Sequence, residues 1–277
     1  MRKCMYMLYP EGKHKALTLS YDDGVVQDVR LIRILDQYGI KATFNLNSRR
    51  LNPEEPSEMP TWGVLSQPAA LRLYRNTVHE VAVHSLTHPF LEKIPLPLVY
   101  TEILEDRKNL EAMFGGIIRG MAYPQGTYND EVVRSLRECG IAYARTTEFT
   151  EDFNIPCDWL RLKATCHHNN PNLFTLADRF MNEQPFLQPW LFYLWGHSYE
   201  FDTDNNWDRI ERFCETVGKR EDIWYATNIE VYDYVQAWQR LEYSAAANRV
   251  YNPSIVPVWF MHNEEIICID AGETKDF

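Results

Sequence analysis

Short apolar runs alternate with amphipathic segments along most of this chain, and this alternation constrains its fold more than any other feature. Strands are predicted at residues 16–21, 42–46, 80–84, 117–123, 141–145, 160–166 and 190–195. Apolar residues at helical spacing predict helices at residues 25–38, 68–76, 99–114, 130–138, 173–181, 207–217 and 229–241. This alternation is typical of an α/β protein with a parallel sheet, and seven or eight such units favour a barrel over an open sheet.

The pattern changes near residue 244. Beyond it, residues 250–253, 256–261 and 266–269 predict short antiparallel strands. We therefore expect a barrel at residues 1–243 and a small β-rich C-terminal extension at residues 244–277. In a barrel of parallel strands the reactive residues lie at the C-terminal ends of the strands, so functional side chains should be sought there.

The composition is that of a folded protein with an acidic surface. Of 277 residues, 45% are apolar, and 39 acidic against 28 basic side chains give a net charge of -11. This charge argues against nucleic acid and anionic membranes as partners, because both are bound by basic side chains. The six cysteines form no CxxC pair, which favours free thiols. No apolar run is long enough for a signal peptide or a membrane span, so we expect a cytoplasmic protein.

Two acidic residues, Asp22 and Asp23, follow the first predicted strand and precede Gly24. Adjacent residues of a strand point to opposite faces, but a turn at the glycine can aim both carboxylates into one pocket. One carboxylate could then act as a base while the other binds a metal ion. Taken alone, an Asp-Asp-Gly segment is more often simply a turn.

Three histidines also follow predicted strands. His84 and His88, after the third strand, are four residues apart, so one helical turn would bring them close enough to bind a single ion. His197 follows the apolar seventh strand, and an imidazole, whose ordinary pKa is about 6.5, is suited to donate a proton there. For each histidine alone, a surface or core packing role is the alternative.

Four segments together resemble the NodB-homology polysaccharide deacetylases, which form carbohydrate esterase family 4. They are SYDDG at residues 20–24, HSLTH at 84–88, AYPQG at 122–126 and LWGH at 194–197. Their order, spacing and strand context match the family from about residue 15 to residue 238. The resemblance implies a distorted (β/α)7 barrel and a hydrolase that removes N-linked or O-linked acetyl groups from a carbohydrate.

The resemblance also implies a ligand set and catalytic roles. Asp23, His84 and His88 would bind one divalent metal ion, most suitably zinc, although cobalt or nickel would also fit these donors. Asp22 would be the general base that takes a proton from water. His197 would be the acid that protonates the leaving amine or alcohol.

Further residues are implied at the substrate. A backbone N–H at Gln125 would stabilise the oxyanion together with the metal ion. The other residues expected around the acetyl group or the substrate are Tyr123, Pro124, Trp195 and His168. Trp195 fills a place that the family usually gives to Leu, which should reshape the acetyl pocket. Aromatic side chains on the predicted mouth loops could stack on sugar rings, and they are Trp62, Tyr128, Tyr199 and Trp207.

One departure from the family pattern concerns the residue that tethers the base. The family usually carries an arginine two residues before the proline of the third segment. This chain has Ala122 at that position. Arg145 or Arg161 could substitute for the missing arginine, or nothing does.

A second departure concerns the residue that orients the acid. The family usually has an Asp-Trp pair after the sixth strand. Here Asp158 and Trp159 precede that predicted strand, and His167 and His168 follow it. These two histidines could belong to the site or be ordinary loop residues.

Two other functions stay open. A barrel of this kind could hydrolyse a small non-sugar amide, or it could bind carbohydrate through a degenerate site without catalysis. The presence of all five ionisable residues argues against degeneracy. The sequence does not indicate which sugar, which acetyl position or which oligomeric state to expect.

Overall fold

A computed structural model describes residues 5–57 and 61–277 of the chain. The strands, in chain order, are β1 (Met5–Leu8), β2 (Lys15–Asp22), β3 (Ala42–Leu46), β4 (Glu80–Val83), β5 (Gly120–Ala122), β6 (Tyr143–Phe149), β7 (Leu162–Ala164), β8 (Cys166–His167), β9 (Trp190–Gly196), β10 (Ile223–Tyr225), β11 (Glu242–Tyr243), β12 (Arg249–Tyr251), β13 (Val258–His262), β14 (Glu265–Ile269) and β15 (Thr274–Asp276). The α-helices are α1 (Asp28–Tyr38), α2 (Gln67–Tyr74), α3 (Leu96–Phe114), α4 (Asp130–Glu138), α5 (Leu173–Asn182), α6 (Tyr199–Thr203), α7 (Trp207–Val217) and α8 (Asn228–Gln239).

The centre of the molecule is a parallel sheet. Its hydrogen-bonded neighbours run in the order β7-β6-β5-β4-β3-β2-β9-β8, and β10 pairs with the beginning of β2. Every residue of β2 is buried, because β2 lies between β3 and β9 and is covered on both faces. Burial on both faces explains why the strand sequences read as almost continuous apolar runs.

The two ends of this sheet meet at Thr165. β7 pairs with β6 and β8 pairs with β9, yet Thr165 alone separates β7 from β8. Its backbone N–H donates to the carbonyl of Tyr193 on β9, and its carbonyl accepts from the N–H of Glu151 after β6. Residues 162–167 therefore act as one interrupted strand that joins both edges, and the sheet curls into a distorted barrel of seven strands. The expected fold class is confirmed.

Helices pack on the outside of the barrel, and capping residues mark where they begin and end. The Thr227 hydroxyl accepts from the N–H of Glu230 at the start of α8, and the Glu230 carboxylate accepts from the N–H of Thr227, which forms a capping box. α1 ends at Gly39, whose φ of 67° is the left-handed conformation that closes many helices. The apolar faces of α1 and α7 pack into the main core.

The structure adds elements that the sequence patterns did not predict, and α6 and β1 are two of them. α6 is a helix of five residues that starts two residues after His197. β1 pairs antiparallel with β13, from the opposite end of the chain. The sixth predicted strand is also broken at Thr165, and the fifth extends beyond its predicted end to Phe149.

The C-terminal region forms short antiparallel strands, as expected. β1, β13 and β14 make one three-stranded sheet, and β11, β12 and β15 make another. Phe260 of β13 and Ile269 of β14 are buried in one cluster with Ala237 and Leu241 at the end of α8. The boundary at residues 243 and 244 stays a prediction, because β1 contributes to this sheet from the N-terminal side.

The cysteines that the structure describes are all free thiols, as expected: Cys139, Cys157, Cys166, Cys214 and Cys268. Cys4 lies outside the described residues. Over residues 5–57 and 61–277, no helix combines the length and the apolarity that crossing a lipid bilayer requires.

Candidate active site

The ionisable residues singled out in the sequence come together at one end of the barrel. Asp22 is the last residue of β2, His84 follows β4, and His197 follows β9. β9, β2, β3 and β4 are successive neighbours in the sheet, so their C-terminal ends lie side by side. The expectation that these motifs open onto the same mouth is therefore correct.

Asp23, His84 and His88 form a group that could hold a metal ion, with ligand atoms all within 4.8 Å of one another. The Nε2 atoms of the two histidines are 3.1 Å apart, and His88 Nε2 is 3.8 Å from Asp23 Oδ1. Two imidazole nitrogens on a tetrahedral zinc ion, each at about 2.0–2.1 Å, would be roughly 3.3 Å apart, so this spacing fits a shared ion.

The tautomer of His84 favours metal binding. Its Nδ1 lies 2.9 Å from the carbonyl oxygen of Ala122, and this nitrogen must carry a proton to donate there. Nε2 of the neutral ring therefore keeps a lone pair that faces His88. Such a hydrogen bond on the other ring nitrogen is the usual way in which proteins orient a metal-binding histidine. Burial of His84 also lowers its pKa, which keeps the ring neutral.

His88 is positioned by the third segment of the resemblance. Its Nδ1 lies 3.0 Å from the side-chain amide of Gln125, and either end of that amide can face the ring. With the amide oxygen facing the ring, Nδ1 would donate to it and Nε2 would be free for an ion. The Gln125 side chain thus lies beside this group, and the role of its backbone N–H at an oxyanion stays a prediction.

Backbone geometry explains how two adjacent aspartates reach one pocket. Asp23 has a φ of 76°, outside the strand, and its N–H donates to the carbonyl of Asn45. Gly24 continues the turn with a φ of 62°, a conformation in which glycine is favoured. The Asp23 carboxylate lies at the mouth, where Arg50 Nη1 is 3.0 Å from Oδ1.

Asp22 is buried and held ionised. Its Oδ1 accepts from Asn45 Nδ2 at 2.8 Å, and its Oδ2 forms a buried ion pair with Arg145. Burial alone would raise the pKa of Asp22, but the Arg145 guanidinium, together with His84 and His197, lowers it to about 2. Arg145 also lies over the ring of Trp195, with 4.3 Å from Cζ to the ring centroid.

Arg145, on β6, therefore tethers the predicted base in place of the arginine missing at position 122. Its side chain is 1% exposed, so its guanidinium does not reach solvent, and the carboxylate with which it pairs is that of Asp22. Arg161, the other candidate, pairs with Asp130 and Asp158 on the surface. The alternative that Arg161 tethers the base is wrong, because its guanidinium is occupied elsewhere.

His197 lies between two carboxylates. Its Nε2 is 3.8 Å from Asp22 Oδ2, and its Nδ1 is 3.4 Å from Glu200 Oε1. Burial opposes protonation, but Glu200 and Asp22 outweigh it and raise the pKa of His197. The sequence reasoning missed Glu200, because its position three residues after His197 is only a weak signal when α6 has five residues.

Asp158 and Trp159, the Asp-Trp pair that precedes the sixth predicted strand, have other partners. Asp158 accepts from the N–H of Leu160 and pairs with Arg161, while Trp159 packs on the ring of Tyr232. The structure therefore gives this Asp-Trp pair no contact with His197.

His168 needs a correction, because it was expected to contact substrate. The side chain is fully buried, stacked between Tyr21 and Phe201. It lies against β9 so closely that a Cβ at Gly196 would be 2.1 Å from its Nδ1. His168 can act only from beneath the mouth, through Glu200, whose Oε2 is 3.0 Å from its Nε2.

The other predicted substrate residues are largely buried. Tyr123 is 1% exposed, and its hydroxyl donates to the carbonyl of Leu160. Pro124 is buried, and Trp195 is 7% exposed beneath Arg145. Contact with an acetyl group or with the substrate stays a prediction for Tyr123, Pro124 and Trp195.

A second group, His167, His197 and Glu200, has ligand atoms close enough to share a metal ion, but the Nε2 of His167 is not free to bind one. His167 Nδ1 accepts from the N–H of Asn169 at 3.1 Å, so the proton of the neutral ring must be on Nε2. That Nε2 lies 3.1 Å from Glu200 Oε2 and faces the carboxylate. The donor chemistry therefore favours the group around Asp23 as the metal centre.

Two of the four candidate aromatic residues border the mouth. The rings of Tyr199 and His197 are 5.2 Å apart, and Trp62, which is 56% exposed, lies edge-on to Tyr199 at 5.8 Å. Trp207 is buried in the core, so it cannot stack on a sugar. Tyr128 stacks on Tyr123 at 4.8 Å.

The fold and these side chains define an α/β barrel with a candidate hydrolytic metal centre at its mouth. The family model described as polysaccharide deacetylase matches residues 10–144. "Putative polysaccharide deacetylase YxkH" of Bacillus subtilis (strain 168) is 23% identical over 141 residues, which are 48% of this chain and 45% of that protein. The aligned part thus spans less than half of that relative. The resemblance to the polysaccharide deacetylases is confirmed.

Solved structures agree on the fold. A crystal structure from Mycobacterium smegmatis, described as "putative polysaccharide deacetylase", has a TM-score of 0.58 and 14% identity to this chain. The match covers 83% of this chain and 93% of that one. A family 4 carbohydrate esterase from Streptomyces lividans, solved with acetate, has a TM-score of 0.51 and 16% identity, with 76% and 92% covered. At these identities the likeness establishes the barrel and not the substrate.

Proposed function

We propose that this protein is a metal-dependent hydrolase that removes N-linked or O-linked acetyl groups from a carbohydrate. The observation that carries the proposal is the convergence of Asp23, His84 and His88 on one point, flanked by an ionised Asp22 and a protonatable His197. Three ligands with a base on one side and an acid on the other are what metal-assisted hydrolysis of an acyl group requires. The confirmed resemblance supports carbohydrate as the substrate class.

The donor set fits a divalent ion, and zinc is the best match to one carboxylate and two neutral imidazoles. When bound by Asp23, His84 and His88, such an ion would polarise the acetyl carbonyl and lower the pKa of a water molecule. The order of affinities among divalent metals means that cobalt or nickel could replace zinc in this site.

Asp22 is placed to take the proton of the attacking water. Arg145 and Asn45 hold both carboxylate oxygens, so the group is ionised and oriented at any working pH. A pKa of about 2 makes Asp22 a weak base, so it can take this proton only from a water that has been acidified. For this reason we expect no turnover without metal.

His197 is placed to supply the other proton. Its raised pKa favours the protonated ring, relative to an ordinary imidazole. Nε2 faces the same space as Asp22 Oδ2, so it can protonate the departing amine or alcohol. We further propose that the backbone N–H of Gln125 donates to the developing oxyanion.

The test is acetate release from a panel of acetylated oligosaccharides. Small acetylated amides are assayed separately as alternative substrates. Protein stripped of metal should release no acetate, and added zinc should restore release. The D22N variant should still bind zinc but lose activity about 100-fold or more. Activity that survives proven metal removal would contradict the proposal. Sugar binding without turnover, in both the unchanged protein and D22N, would favour a binding protein. Turnover of the amides alone would indicate a non-sugar substrate.

A further inference from the structure

The carboxylate of Glu200 lies where three imidazole rings meet. Its oxygens are 3.0 Å from His168 Nε2, 3.1 Å from His167 Nε2 and 3.4 Å from His197 Nδ1. The backbone N–H of His197 also donates to Glu200 Oε2 at 3.3 Å. One carboxylate thus contacts both the ring and the main chain of His197.

The three imidazoles do not share the charge equally. His167 Nδ1 accepts a backbone hydrogen bond, so this nitrogen is not open to a further proton while that bond is kept. Burial lowers the pKa of His168 to about 4, which keeps that ring neutral. Burial also opposes the protonation of His197, but Glu200 reverses the effect and raises its pKa. A proton added to this cluster therefore goes to His197.

Several contacts hold the residues around Glu200 in place. His168 is fixed by stacking on Phe201, at 4.2 Å between centroids, and by Arg209 Nε, which donates to its carbonyl at 2.7 Å. The turn that carries His197 is tied to α1 by a hydrogen bond from Ser198 to the buried Asp28. The carboxylate and the ring it faces are thus set by contacts on separate elements.

We propose that Glu200 is the positioning residue for His197, taking the role that carbohydrate esterase family 4 usually gives to a carboxylate after the sixth strand. Glu200 faces Nδ1 and thereby leaves Nε2 turned toward the reacting atoms beside Asp22. Asp158 cannot do this, since its carboxylate accepts from the N–H of Leu160 and pairs with Arg161. The inference rests on the proposed function, because an acid at His197 is what needs such a partner.

Other charged or titratable groups also surround the His197 ring. Those on neighbouring elements are Asp22 and Asp23 at the end of β2, His167 and His168 at and after β8, and Tyr199 on α6. All of them are retained when Glu200 alone is changed, so a variant at position 200 isolates the contribution of this carboxylate.

The first experiment is an NMR titration of the imidazole protons in zinc-loaded protein, with the His197 signal assigned from a H197Q spectrum. In E200Q the pKa of His197 should fall by about one unit or more, as expected for loss of an opposite charge whose oxygen lies 3.4 Å from Nδ1. E200D keeps the charge and should show a smaller fall. E211Q removes an exposed glutamate that pairs with Arg30, and it should leave the His197 pKa unchanged.

The second experiment is the pH profile of kcat/KM for acetate release. The alkaline limb, where His197 loses its proton, should move to lower pH in E200Q, with kcat falling about 100-fold and KM little changed. E200D should recover part of kcat, and E211Q should match the unchanged protein. If E200Q does not fold, E200D is compared with E211Q instead. The alkaline limb should then move to lower pH in E200D and stay in place in E211Q.

The titration requires no turnover, so it tests Glu200 even if no acetate is released from any substrate. An unchanged His197 pKa in folded E200Q or E200D would overturn the inference. Lost activity without a shift of the alkaline limb would also overturn it, because a structural role alone would produce that result.

Discussion

The two adjacent aspartates at the end of β2 have opposite surroundings, and these surroundings suit them to different tasks. Asp22 is 2% exposed and bound by an arginine and an asparagine. Asp23 leaves the strand with a positive φ and faces the two histidines at the mouth. Asp23 Oδ1 pairs with Arg50 at the mouth, whereas both oxygens of Asp22 are bound inside the barrel by Asn45 and Arg145. The local structure therefore supports the division of roles that we propose, with Asp22 as the base and Asp23 as a metal ligand.

Arg145 gives the sharpest prediction for a single side chain. In R145Q the pKa of Asp22 should rise, because the main group that offsets its burial is gone. The acid limb of kcat/KM should therefore move to higher pH, and activity at neutral pH should fall about 10- to 100-fold as the carboxylate loses its orientation. The measurement is a pH profile of acetate release, after circular dichroism has shown that the variant folds.

R161Q is the matched control for that variant. Arg161 is the other arginine that sequence reasoning offered as a tether, and it forms only surface ion pairs with Asp130 and Asp158. Its loss should leave the profile unchanged and alter stability by about 1 kcal/mol or less. Equal effects of the two substitutions would refute a special role for Arg145.

Among the elements, the strands of the barrel were the most predictable. β2, β3 and β9 were placed to within a residue or so, because each is a buried apolar run with turn residues at its ends. β1 was missed because its partner β13 lies at the far end of the chain, and no local pattern reports such a pairing. The break at Thr165 was missed for a similar reason, since it arises from pairing with two different neighbours.

The candidate site shows the same division between local and tertiary information. The motifs at residues 22–23, 84–88 and 197 could be predicted because each is contiguous in sequence. Arg145 could not be chosen over Arg161, since only the register of β5 and β6 shows which guanidinium points into the barrel. Glu200 was overlooked because the family usually places such a carboxylate after the sixth strand, and because α6 is too short to give a clear periodic signal.

The loop that precedes α2 carries a prediction about substrate binding. Trp62 is 56% exposed and stands beside Tyr199, next to His197. If a sugar ring stacks there, W62A should raise KM for acetylated oligosaccharides about 3- to 10-fold, and kcat on a small acetyl ester should not change. F186A is the control, since Phe186 is 81% exposed on the loop that enters β9 at the opposite end of the barrel. An equal KM for W62A and the unchanged protein would exclude this subsite.

The C-terminal strands carry a prediction about stability. Phe260 of β13 is fully buried and packs with Trp238 of α8 and Phe277. F260A should lower the free energy of unfolding by about 3–5 kcal/mol, as is usual when a buried aromatic ring is removed. The check is urea unfolding against I255A, which changes a 94% exposed side chain and should stay within about 0.5 kcal/mol. A small loss for F260A would show that these strands contribute little to the folded barrel.

At the scale of the whole molecule, enclosed carboxyl groups make stability depend on pH. The formal net charge is -11, and three of the carboxyl groups counted in it are enclosed in the fold, where ionisation is unfavourable. Burial raises the pKa of Asp28 to about 7, that of Glu80 to about 7 and that of Asp106 to about 8. None of the three belongs to the proposed machinery.

Glu80 allows the consequence for stability to be measured. Its carboxyl group accepts hydrogen bonds from Thr43, Tyr143 and the N–H of Ile229. In the unfolded chain a glutamate has a pKa of about 4.3, so between that value and about 7 the folded state binds more protons. The stabilisation from the protonated group is therefore complete below about pH 4 and is lost as the pH rises through about 7.

E80Q imitates the protonated group and cannot ionise. Relative to this variant, the unchanged protein should lose stability between about pH 5 and pH 8, by an amount on the order of 2–3 kcal/mol. Asp28 and Asp106 are present in both proteins, so their contributions cancel in the difference. Urea unfolding at pH 5, 7 and 8.5 gives the comparison, with E211Q as the exposed control that should follow the unchanged protein within about 0.5 kcal/mol. A constant difference between E80Q and the unchanged protein over this range would mean that Glu80 ionises equally well in the folded and unfolded states.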